Sequence, residues 1–111
     1  MISYDNVAAG VIRFVHSEML PHLDGWKKMA VGVYLDLSAN NAVQLLKKSA
    51  ADPAVAMTGI FQPDGVDVER LYKAVVEHMD GAMEFNIPMI GSFVLARPDI
   101  EKLYNFIKGV I

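Results

Sequence analysis

The chain has no cysteine. Disulfides, thiolate catalysis and cysteine-held metal are therefore excluded. It also has no basic stripe. Its 10 Lys and Arg residues are scattered, pairing only as Lys27-Lys28 and Lys47-Lys48, against 13 Asp and Glu. The net charge of -3 gives no electrostatic pull toward nucleic acid. No apolar run approaches the roughly 18 residues that a membrane span needs. No charged segment followed by an apolar stretch and a cleavage site opens the chain, which sets the expectation of a cytoplasmic protein. A Gly-rich phosphate loop, a nucleophile elbow and an HExxH helix are all missing. No cofactor is expected, and no catalytic or metal-ligating residue is assigned.

What the chain has in quantity is apolar side chains. They make up 53% of 111 residues, and mean hydropathy is +0.28. A single domain of this size has much surface for its volume. Some apolar residues should therefore lie outside, and an oligomer interface is the ordinary cover for them.

The C-terminal half repeats itself. Met57-Thr58-Gly59-Ile60-Phe61 and Asp67-Val68-Glu69-Arg70-Leu71-Tyr72 return, at one offset of 32, as Met89-Ile90-Gly91-Ser92-Phe93 and Asp99-Ile100-Glu101-Lys102-Leu103-Tyr104. Each unit, about 57–79 and 89–111, reads as an apolar stretch, a loop and an amphipathic helix. Val68, Leu71, Tyr72, Val75, Val76 and Met79 follow the 3.6-residue period, as do Ile100, Leu103, Tyr104, Ile107 and Ile111. Asp67 and Asp99 sit where a first-turn carboxylate accepts from free backbone N–H groups, and Pro98 suits a helix start. Capping accounts for the Asp-x-Glu pattern without a metal. Asp64-Gly65 lacks the acidic neighbours of a calcium loop, so Pro63-Asp64-Gly65 reads as a tight turn. Leu71 and Leu103, with Tyr72 and Tyr104, are predicted to fill equivalent buried places in two superposable units. These blocks, with Ile87-Pro88 leading into the second, resemble small uncharacterised proteins of Firmicutes prophages and mobile elements. The resemblance covers about the C-terminal half and implies no activity and no site residues.

The N-terminal half, 1–52, reads as three helices. Helix 1 spans about 4–20, capped by Ser3 or Asp5 and ended by Pro21. Tyr4, Val7, Ala8, Val11, Val15 and Met19 line one face, and Ile12 and Phe14 widen it. Gly10 lowers helix propensity but permits close approach of another helix. Helix 2 starts near Asp24 with Trp26, Met29, Ala30, Val33 and Leu37 as its core stripe. Ser38-Ala39-Asn40-Asn41 is expected to break it, because short polar side chains compete with the backbone. Helix 3 then runs to about 51, one bent helix over 24–51 being the alternative. The segment 54–58 is either a helical turn or the start of a strand. Residues 86–95 alternate with period two and predict a strand, with Pro88 at its start or on an edge. The fold class is therefore mainly α with a small β element (α+β), in one domain, with the repeat lobe over 53–111.

His16, Glu18, His22 and Asp24 form the one polar cluster with ligand-like spacing. His16 and Glu18 point apart on a helix, however, and a His near a helix C-terminus is explained by the dipole. The leading expectation is a non-enzymatic interaction protein (adaptor, inhibitor or sequestering protein) that binds a copy of itself and a further protein. Its expected interface is helix 1's surplus arc, Val7, Val11, Ile12, Phe14 and Val15, with Val110 and Ile111. The alternative is that helix 1 is buried on all sides. A small-ligand or nucleotide site, or an enzyme, built on Glu18, His22 and Asp24 is the second reading. A DNA-binding regulator using helix 3 is the third, disfavoured by the charge.

Overall fold

The computed structural model describes residues 1–87, 89 and 91–109, with only the backbone described at 36, 37, 39, 40, 85 and 87. The chain is mostly helical and carries two small antiparallel sheets. Helix α1 spans Tyr4–Phe14, and the Ser3 side chain caps it by accepting from the Asn6 N–H at 3.2 Å. The helical path does not stop at Pro21, as expected, but continues as a π-helical turn over Val15–Met19 and a 3-10 turn over Leu20–His22. Pro21 has no N–H to return to the preceding turn, so the run ends in irregular turns instead of an α-helix.

Helix α2 is one unbroken helix, Gly25–Ala50. The expected break at 38–41 is absent, and there is no separate helix 3. Asn and Ser lower helix propensity by only about 0.5 kcal/mol each. Packing on both sides of the polar cluster outweighs that. Val31 before it is buried, and Val43, Leu46 and Ala50 after it pack on the core. A single helical turn, α3 (Pro53–Ala56), follows, capped by Asp52. This resolves 54–58 in favour of helix.

Strands β1 (Phe61–Gln62) and β2 (Gly65–Val66) pair antiparallel across Pro63-Asp64, the tight turn read from the sequence. Asp67 then caps α4 (Val68–His78), accepting from the Arg70 N–H at 3.1 Å. Strands β3 (Ala82–Ile87) and β4 (Gly91–Ala96) form a second hairpin. The single strand expected over 86–95 is therefore two strands, reversed at a turn where Met89 takes φ +68. Pro88 and its expected edge position lie outside the described residues. Helix α5 (Arg97–Lys108) follows directly, with Pro98 in its first turn and the Asp99 carboxylate reaching back to the Ala96 N–H at 2.9 Å.

The core gathers Ile2, Tyr4, Val7, Ile60, Val66, Val68 and Ile107. Ile2 exchanges two backbone hydrogen bonds with Val66, at 3.0 and 2.8 Å, and the Tyr4 hydroxyl donates to the Gln62 carbonyl at 2.5 Å. These tie the N-terminus to the first hairpin. Helix α1 lies centrally and packs on α2, α5 and β2. Val7 and Phe14, expected at an interface, are buried within the chain at 4% and 2% exposure, and Ile12 and Val15 are half-buried. Only Val11 of that arc is exposed, so α1 is the inner helix of the fold and offers no broad outer face. Val110 and Ile111 lie outside the described residues.

Candidate functional site

Among the described residues, four of the exposed large apolar side chains lie together on the outer face of α2. Trp26, Met29, Val33 and Tyr34 are 59%, 71%, 52% and 69% exposed, and Ala30 between them is exposed too. They recur at i, i+3, i+4, i+7 and i+8, a single stripe on a 3.6-residue helix. Val31, Leu35, Ser38 and Ala42 follow the same spacing on the opposite side, and they are the buried or half-buried ones. Of the stripe expected as core, Trp26, Met29, Ala30 and Val33 thus face outward, the side chain of Leu37 lies outside the described residues, and a second stripe faces in. The signal was present: a helix apolar on two opposite sides is normally covered on both. Tyr34, four residues after Ala30, continues the same spacing.

Area supports the same point. A compact 111-residue monomer exposes about 6,100 Å², whereas this chain exposes 7336 Å². Its radius of gyration is 14.3 Å, against about 13 Å for a compact domain near this size. Helix α2, 26 residues and so about 39 Å long, nearly matches the longest dimension of 41 Å.

The polar cluster is dispersed. The Glu18 carboxylate is engaged by the Lys102 ammonium at 3.3 Å, at the protein surface. Glu18 and His22 share an open cleft of about 350 Å³ beside β4 with Phe93, Leu95 and Asp99. Asp24 lies instead with His22, Trp26 and Lys27 on a neighbouring hollow of about 330 Å³. His16 is exposed and lines neither. Among the described residues no group of three His, Asp or Glu side chains could hold a metal ion. The helix-turn-helix expected of a DNA reader has no turn, because α2 is continuous there. Among the described residues no helix is long and apolar enough to cross a membrane.

A second apolar feature lies between α4 and α5, a groove of about 100 Å³. Its walls are Val68 and Ile100, Leu71 and Leu103, Tyr72 and Tyr104, Val75 and Ile107, four pairs at the offset of 32. The two tyrosine rings stand 4.7 Å apart. Tyr72 donates to Glu101 at 3.4 Å and Tyr104 to Glu69 at 3.5 Å, two reciprocal contacts across the groove. Partial burial, then the Glu101 carboxylate, raise the Tyr72 hydroxyl above its ordinary pKa. Leu71 and Leu103 are half-buried, not fully buried as expected. The strands do not follow the offset: Phe61 opens the two-residue β1, and Phe93 lies within the six-residue β4. No family model, no curated protein and no solved structure matches this chain.

Proposed function

We propose that this is a small non-enzymatic protein-interaction protein, an adaptor, inhibitor or sequestering protein, that acts through the outer face of α2. One observation carries the reading: Trp26, Met29, Val33 and Tyr34 stand together in water on a helix whose opposite side is already packed. Aromatic side chains and Met are the types enriched at protein interfaces, where they anchor most of the affinity. The repeat fits a supporting role. Helices α4 and α5 close on each other through paired side chains, α5 packs on α1, and α1 in turn carries α2.

The absence of cysteine makes the test clean. Met29→Cys and Met57→Cys each provide one thiol, at 71% and 89% exposed positions on and off the face. With a short thiol-reactive cross-linker in the native cells, position 29 is expected to give a discrete protein adduct, and position 57 little. Equal yields at the two positions, or no adduct at 29, would remove this reading.

A further inference from the structure

Resting on that reading of α2, we infer that the protein covering this face is a second copy of the chain, paired α2 to α2 in antiparallel sense about a two-fold axis at Ala30. A two-fold contact requires one patch to complement itself, and this one does. Ala30 is the small residue at its centre, with Trp26 four positions before and Tyr34 four after. Turning a second helix about Ala30 sets each Trp26 against Tyr34 of the partner subunit, at both ends of the contact. Met29 and Val33 fill the space between. Two alanines at the crossing let the helix axes approach, while large rings close the flanks, the alternation that packed interfaces use.

The area suffices. Aromatic residues contribute roughly 150–250 Å² each when fully covered. At the exposures observed here, complete cover of the four large side chains would remove on the order of 500 Å² per copy, or about 1,000 Å² for the pair, the least that a biological interface buries. The excess of the chain's surface over that of a compact monomer, about 1,200 Å², leaves room for this and a rim. The antiparallel sense opposes the helix dipoles. A parallel pair would align the dipoles and set exposed Asp24 beside its own copy.

Sedimentation of the full chain from about 0.1 to 100 µM tests the pairing. The wild type should pass from monomer to dimer. Tyr34→Glu should weaken association by several hundred-fold or so, because each symmetric contact is lost twice. Met57→Glu should leave it unchanged. Ala30→Trp is the decisive variant. It adds apolar surface yet places two large side chains on the axis, so it should weaken the dimer at least about tenfold. A cooperative melt for each variant confirms that its fold is kept. A wild type monomeric throughout, or tighter association of Ala30→Trp, overturns the pairing. If Met29→Cys then still cross-links to a different protein, only the choice of partner was wrong. If position 29 gives no adduct of any kind, the interaction reading itself fails.

Discussion

Phe14→Ala is expected to lower the free energy of unfolding by about 3–5 kcal/mol, the range for a fully buried aromatic ring. Phe14 is 2% exposed, and its ring meets that of Phe106 edge-on, with centroids 5.9 Å apart at 78°. That geometry adds an aromatic contribution to the burial. The contact joins α1 to α5, so a cavity there loosens the two helices that frame the core. A domain of this size holds only about 5–15 kcal/mol in total, and each kcal/mol moves the midpoint by roughly 4–8 °C. Urea titration and a thermal melt should both show the loss. A change below about 1 kcal/mol would place Phe14 at the surface, where the sequence pattern alone had put it.

Gly10→Val should cost about 3 kcal/mol, the upper end of overpacking. A Cβ built at Gly10 would stand 2.5 Å from the Ile107 Cα and 3.0 Å from its backbone nitrogen. Those atoms belong to α5's backbone and cannot rotate aside, so α1 and α5 must separate. Ile107 is 4% exposed and shares the core with Val7 and Val66. Helix propensity opposes this loss by only a few tenths of a kcal/mol. Gly32→Ala is the control, since a Cβ there meets nothing within 4 Å; it should be neutral or stabilising by up to about 1 kcal/mol. Equal effects at the two glycines in a denaturant titration would contradict the close approach of α1 and α5.

Local chemistry was the legible part of this chain. Ser3, Asp67 and Asp99 act at helix starts as their residue types suggest, Pro63-Asp64 turns the first hairpin, and Gly10 sits where two helices nearly touch. These features depend on a few neighbouring residues, and the sequence contains those neighbours. Choices settled by distant packing were not legible. The polar run 38–41 breaks α2 only if nothing holds its two ends, and Val31, Val43 and Leu46 do. Alternation over 86–95 is equally good for one strand or for a hairpin folded at Met89. On helix 1 a wide apolar arc fits an interface or burial on all sides, and only the packing of α2 and α5 on it decides for burial. On α2 two apolar stripes competed. Spacing alone does not say which one faces inward, so the candidate site was read inside out.

If a second copy covers the outer face of α2, that face is bare in a single chain and buried in the pair. Trp26 is the only tryptophan, and it lies on that face at 59% exposure. Its emission and its quenching by iodide, followed over the same dilution series, therefore report on this surface alone. At low concentration the account predicts water-like emission that iodide quenches freely, and at high concentration a shift to the blue with quenching suppressed. Blue, protected emission at every concentration would show the face packed within one chain. Water-like emission throughout would show that no second copy covers it.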